Sequence, residues 1–167
     1  MIEHDSYTAY FSNLATQHKI LLHSEGNPVF FRVNMEEVLA GLQEIKSDKA
    51  IILEAFSGNV TGPDDSTLYD VVQGAFTIVQ NVKNEDYDAE EDALQLTKSI
   101  GFDVISRMRR DARAGHALMK FLDTLSFSYG KVGPVADNHF GWRFEFTLRK
   151  GAGVAYVPAK WADEEEV

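Results

Sequence analysis

The chain has 167 residues, 44% of them hydrophobic and 25% charged, which are ordinary values for one globular domain. It contains no cysteine, so disulfides, thiolate metal sites and cysteine nucleophiles are excluded. The formal net charge of −10 disfavours binding to nucleic-acid phosphates and to anionic membrane surfaces.

The N-terminal third predicts two helices with a short strand between them. Apolar residues recur every three or four positions from Asp5 to Leu22, which predicts an amphipathic helix. The stretch 29–33 is a strand candidate, and the capping pair Asn34 and Glu37 predicts a helix over 34–46. This region lacks a signal-peptide pattern, and no apolar run reaches the roughly 20 residues that span a bilayer. We therefore expect a cytoplasmic protein, or a virion protein if the gene is phage-derived.

The middle of the chain predicts two strands and the longest helix. Residues 49–57 alternate as in a strand, and the turn-forming residues of 58–66 predict a loop. The next strand covers 68–82, where Gly74 suggests a bulge or bend. A helix is predicted over 84–113, with acidic residues at its start and arginines at its end, as the helix dipole favours.

The clearest pattern lies near the C-terminus, where large apolar residues occupy every second position from Phe140 to Leu148. Period two predicts a strand with one buried face, and residues 125–129 predict a shorter strand before it. The predicted fold is therefore α+β, with a mixed or antiparallel sheet that carries helices on one face. We expect one domain over residues 1–160 and a flexible acidic tail over 161–167.

No catalytic, cofactor-binding or metal-binding motif is recognisable. HExxH and G-x-S-x-G are absent, and Gly151-Ala152-Gly153 lacks the third glycine of a dinucleotide-binding turn. The acidic residues of 85–92 suit a helix N-terminus better than a cation site, and Asp64-Asp65 suits a turn. We therefore predict a protein that is not an enzyme and that has no cofactor or metal.

Two groups of charged residues are candidates for contacts with partners. The first is the only concentration of basic residues, and the second lies on the polar face of the last strand. The candidate interface residues are Arg107, Arg109, Arg110, Arg113, Arg143 and Glu145. A basic edge on an acidic body suits a head-to-tail ring, which needs two different complementary patches.

The order of elements, together with the stretch Asp137 to Leu148 (DNHFGWRFEFTL), resembles small phage tail terminator or tail-completion proteins. In that group, a helix with an apolar A-x-x-L-like stripe precedes a hairpin whose last strand carries alternating aromatic residues after a glycine. In this chain, residues 92–108 would be that helix and residues 140–148 would be the last strand of the hairpin. The resemblance covers roughly residues 29–149.

The resemblance implies a non-enzymatic structural protein that self-assembles into a ring and terminates or joins the tail tube. The expected partners are further copies of the chain and other tail or connector proteins, not a membrane or a specific nucleic-acid sequence. An acidic lumen would let DNA pass without binding it.

Two alternatives stay open. One is a monomeric or dimeric module that binds a protein or a small ligand, and a large apolar cavity beneath Trp142 and Phe144 would favour it. The other is an enzyme without a recognisable motif, with His139, Asp137 and Arg143 as its candidate residues.

Overall fold

The computed structural model describes residues 1–33, 47–64, 66–83, 86–135 and 138–162. The helix predicted over 34–46, residue Asp137 and most of the predicted acidic tail lie outside these described residues. The elements of the described part are α1 His4–Gln17, β1 Phe30–Val33, β2 Lys49–Glu54, β3 Ser57–Asp64, β4 Thr67–Asn81, α2 Tyr87–Arg113, β5 Ser128–Val135 and β6 His139–Gly151, with short 3-10 helices at Met119–Phe121 and Pro158–Lys160.

The two helices form where the apolar periodicity predicts them. In α1 the buried stripe consists of Tyr7, Tyr10, Phe11, Leu14 and Ala15. The helix ends before His18, whose extended backbone stops the helical hydrogen bonding, so it is shorter than predicted. In α2 the Asp86 side chain accepts a hydrogen bond from the Ala89 amide at 2.9 Å and caps the first turn.

The six strands form one mixed sheet in the order β1-β2-β4-β6-β5, with β3 paired to β4 outside this path. Only the β1–β2 pair is parallel among the described pairings. The long strand β4 pairs with β6 along one edge. Along its other edge it pairs with β2 over Phe76–Gln80 and with β3 over Tyr69–Gln73. The predicted α+β class is confirmed.

The helices cover one face of the sheet and bury the aromatic ladder of β6. Phe144, Phe146 and Leu148 are fully buried, and Phe140 is nearly so. Phe144 stacks on Phe76 of the neighbouring strand with ring centroids 5.1 Å apart. The period-two prediction is therefore confirmed from Arg143 to Arg149, where Phe144, Phe146 and Leu148 belong to the main core. Before Arg143 the burial does not alternate, and Phe140 packs in a smaller cluster with Val82 and Ala93.

The predicted loop over 58–66 is wrong, because most of it is strand β3. Its residues pair with β4 from Ser57 opposite Gln73 to Thr61 opposite Tyr69. The turn is confined to the end, where Asp64 accepts hydrogen bonds from the amide and hydroxyl of Ser66. All eight β3 residues are exposed, so backbone pairing forms this strand without help from apolar burial.

The bulge predicted at Gly74 is absent from the pairing of β4 with β6, whose register runs without a shift from 69 to 81. The glycine has a packing role instead. A Cβ at this position would lie 2.6 Å from Cζ of Phe146 and 2.8 Å from the phenolic oxygen of Tyr7. Gly74 therefore lets α1 approach the sheet closely.

Candidate functional site

Arg107, the first of the α2 arginines, is paired inside the molecule. Its Nε donates to both carboxylate oxygens of Asp111, at 3.0 and 2.9 Å. The Tyr10 hydroxyl of α1 donates to the same carboxylate at 3.0 Å. Desolvation by burial is the largest cause that raises the pKa of Tyr10, and the negative charge of Asp111 raises it further. The phenol therefore stays neutral. Arg107 therefore supports the contact between α1 and α2.

The remaining arginines of this group are exposed, and no ion pair in the described part of the chain uses them. Arg109 and Arg113 line a shallow groove of about 200 Å³, which we call the α2 groove. Its other lining residues are Phe102, Ile105 and Ser106. Phe102 is 46% exposed and meets the Tyr129 ring edge-on at 5.5 Å. The groove therefore has an apolar floor beside two cations that form no ion pair with the described residues.

Arg143 lies on the other face of the sheet, at the centre of a network that we call the strand-crossing network. Its Nε and Nη2 donate to the two carboxylate oxygens of Glu54 at 2.6 and 2.9 Å. It also donates to Glu145, which accepts a further hydrogen bond from the Ser128 hydroxyl at 2.9 Å. The network thus joins β2, β6 and β5 across the surface of β4.

The network shifts the pKa values of Glu145 and Arg143. Hydrogen bonds from Arg143, and then from Ser128, hold the pKa of Glu145 below its ordinary value. The hydrogen bond to Glu54 is the main cause that raises the pKa of Arg143. Both side chains therefore stay charged at neutral pH.

The six interface residues predicted from the sequence therefore fall on two separate surfaces. The four arginines belong to α2, on the helix-covered side of the sheet. Arg143 and Glu145 belong to the opposite face, together with Glu54. Two dissimilar surfaces on opposite sides of one sheet cannot contact the same patch of a partner.

Comparison with known proteins adds no family to these observations. Protein-family models, curated proteins and solved structures give no match to this chain. Within the described ranges, neither helix combines the length and the apolarity needed to cross a lipid bilayer.

His139, the histidine of the enzyme alternative, is almost completely buried, with 2% of its surface exposed. Its Nδ1 lies 3.4 Å from the Asn81 amide nitrogen, and its Nε2 lies 3.4 Å from the Ser47 carbonyl oxygen. Asp137 is outside the described residues. No cluster of three histidine or carboxylate side chains suited to a metal ion occurs in the ranges that the structure describes.

The space beneath Trp142 and Phe144 is filled. The Trp142 indole nitrogen donates to the Leu94 carbonyl oxygen at 2.9 Å, and a Cβ on Gly101 would lie 2.0 Å from Cζ of Phe144. The rings of Phe76 and Tyr129 contact Phe144 from other sides. A small-ligand cavity at this position is therefore excluded by the packing.

A larger cleft of about 610 Å³ opens between the N-terminal residues and β3. Its apolar lining includes Ile2, Phe56 and Val60, and its acidic lining includes Glu3 and Asp70. One of these carboxylates is occupied, because the Ile2 amide donates to Asp70 at 2.9 Å. The cleft is acidic, in contrast with the α2 groove.

Beyond β6 the chain forms an exposed segment over 152–162, which we call the C-terminal arm. The Ala152 amide still donates to the Leu68 carbonyl oxygen at 2.9 Å, but the residues after it are exposed. Val154, Tyr156 and Trp161 each keep more than half of their surface exposed. Sequence reasoning missed this arm, because its valines and aromatic residues suggest burial within the domain.

Proposed function

We propose that this chain is a non-enzymatic structural protein of a phage or prophage tail, and that it self-assembles into a ring that terminates or joins the tail tube. The observation that carries the proposal is the unsatisfied basic surface of an acidic protein. Arg109, Arg110 and Arg113 form no ion pair within the described chain, although the protein has an excess of ten negative charges.

This distribution supports contacts between unlike surfaces of successive copies. Arginines without an acidic partner among the described residues of their own chain favour an acidic surface of another molecule. A contact between two different patches repeats from copy to copy and closes into a ring when the rotation allows it. The overall negative charge would repel DNA from the wall of such a ring, as a conduit for DNA requires.

The order of the strands and helices also supports the proposal. The chain resembles tail terminator proteins in having a long helix followed by a hairpin with an alternating aromatic strand. In this protein those parts are α2 and the β5–β6 pair. The β3–β4 hairpin adds an exposed strand whose outer edge has no partner among the described strands. Such an edge is a ready surface for pairing with another chain.

The test is a mass measurement in solution combined with electron microscopy. We expect the purified chain at high concentration, alone or mixed with tail-tube protein, to sediment as a closed oligomer and to appear as rings. The variant Arg109→Glu/Arg113→Glu should reduce the assembled fraction. The matched variant Arg32→Glu/Lys83→Glu, which reverses two exposed charges elsewhere, should assemble normally. Monomer under every one of these conditions would contradict the proposal.

A binding module for a small molecule is the second candidate function, and the cleft at the N-terminus favours it. Its volume of about 610 Å³ falls within the range of ligand pockets, roughly 300–1,000 Å³. Native mass spectrometry of the purified protein tests it. A bound mass that disappears on denaturation, and that is lost in the variant Phe56→Arg, would favour this function over the structural one.

A further inference from the structure

We propose that the C-terminal arm of one copy docks in the α2 groove of a second copy. Trp161 of the arm would cover Phe102 and Ile105, and the acidic residues that follow it would pair with Arg109 and Arg113. The inference rests on the proposed self-assembly, and it names the segment and the surface that make the contact.

The α2 groove has the size and the lining for one aromatic side chain followed by carboxylates. Its volume of about 200 Å³ is below the range of typical small-ligand pockets, roughly 300–1,000 Å³. Phe102 supplies an exposed aromatic floor. Arg109 and Arg113 are four positions apart on α2, so both guanidinium groups lie on the same side of the helix as the groove.

The arm supplies the complementary chemistry. Trp161 is 58% exposed and stacks loosely on Tyr156, with ring centroids 6.3 Å apart. The sequence continues after Ala162 with one aspartate and three glutamates, Asp163 to Glu166. Tryptophan and arginine are enriched among the residues that dominate protein–protein contacts. Arginine also binds carboxylates with two parallel hydrogen bonds.

Other surfaces of the chain fit the arm less well. The N-terminal cleft carries Glu3, Asp5 and Asp70, which would repel four further carboxylates. The start of α2 is acidic as well, and two of its carboxylates already have partners. Asp86 caps the helix, and Glu90 accepts a hydrogen bond from Lys131 at 2.9 Å. Val154, Tyr156 and Trp161 are each more than half exposed, so the arm keeps surface available to a second copy.

A peptide experiment tests the contact without requiring a ring. The probe is a labelled peptide with the sequence of residues 154–167, and the host is the full chain carrying Trp161→Ala. We expect saturable binding by fluorescence anisotropy, weakened at least about tenfold by Arg109→Glu/Arg113→Glu in the host. The control host Arg32→Glu/Lys83→Glu should bind as before. The inference would be overturned if the peptide does not bind, or if Arg109→Glu/Arg113→Glu in the host leaves its affinity unchanged.

Reversal of the charges on both the peptide and the host gives a second test, because a misfolded host could not regain binding. A peptide in which Glu164, Glu165 and Glu166 are lysines should bind the Arg109→Glu/Arg113→Glu host and should not bind the original groove. Failure of this rescue, while the variant host keeps its normal melting temperature, would count against the pairing of these charges.

Complementation in the full chain shows whether the arm binds its own copy or another. Trp161→Ala lacks the anchor but keeps the groove, and Arg109→Glu/Arg113→Glu lacks the groove but keeps the arm. Each variant alone should remain small, whereas their mixture should form a one-to-one complex by analytical ultracentrifugation. If the mixture contains only monomers, docking of the arm between copies is overturned. Rings formed by Trp161→Ala alone would overturn the arm contact and leave the proposed function intact, whereas a wild-type chain that never forms rings contradicts that function.

Discussion

Glu54 on β2 and Arg143 on β6 form a two-hydrogen-bond ion pair, although their strands do not pair with each other. β4 lies between them and places only Ala75 and Thr77 at the crossing point. These small side chains leave room for the guanidinium group to reach across the strand. The pair therefore fastens three adjacent strands on the face of the sheet opposite α1 and α2.

Removal of Arg143 should destabilise the protein more than removal of the whole pair. Arg143→Met leaves the Glu54 carboxylate, which is 5% exposed, without its counter-charge, and we expect a loss of about 3 kcal/mol. The double variant Glu54→Gln/Arg143→Met leaves no buried charge and should lose less. Urea unfolding at pH 7 measures both. A double variant that loses as much as the sum of the losses measured for Arg143→Met and for Glu54→Gln would show that the pair is not coupled.

Local patterns in the sequence predict the parts of the fold that have a buried face. The alternation from Phe140 to Leu148 and the acid-to-base gradient of α2 each reflect one element's own environment, so both are visible without a structure. Strand β3 is not visible in this way. Its glycines, asparagine and proline have turn propensities, and it forms only because β4 offers an unpaired edge.

The surfaces were only partly predictable for the same reason. Arginines at the end of α2 are apparent in the sequence, and so is the four-residue spacing of Arg107 and Asp111, but the hydrogen bond from Tyr10 to Asp111 depends on how α1 docks. Glu54 and Arg143 are 89 positions apart and on strands that are not neighbours, so no local pattern joins them. The exposure of Trp161 likewise depends on where β6 ends.

Glu145 should make the stability of the protein sensitive to acid. Its pKa is held below the ordinary glutamate value by Arg143 and Ser128. A depressed pKa contributes stability that is present above the unfolded value of about 4.3 and is lost as the pH falls below it. Because Glu145 is half exposed, we expect less than about 1 kcal/mol. The measurement is the difference in urea midpoint between wild type and Glu145→Gln, which should shrink from pH 6 to pH 3; a constant difference would exclude this role.

Tyr10 should contribute stability through its hydrogen bond to the Asp111 carboxylate. Tyr10→Phe removes a donor to a buried charged acceptor, and we expect a loss of about 1.5–3 kcal/mol in urea unfolding at pH 7. Tyr87→Phe is the control, because Tyr87 is 79% exposed and should have almost no effect.

The same bond has an alkaline signature. The pKa of Tyr10 is raised in the folded state, so its contribution is full below the ordinary tyrosine value of about 10 and declines as the pH rises above it. The stability difference between wild type and Tyr10→Phe should therefore narrow above that pH. A difference that grows with alkalinity would mean that the phenol ionises more easily in the folded protein, contrary to its environment.

Gly101 should be intolerant of alanine, although alanine favours helices. A Cβ at this position would lie 2.0 Å from the Phe144 ring, which Phe76 and Tyr129 hold in place. Overpacking costs up to about 3 kcal/mol and outweighs the gain of about 1 kcal/mol in helix propensity. Gly101→Ala should therefore lower the free energy of unfolding in wild type but have a smaller effect in a Phe144→Leu background. If Gly101→Ala changes the free energy of unfolding equally in both backgrounds, or stabilises the wild type, then α2 does not pack tightly against the Phe144 ring.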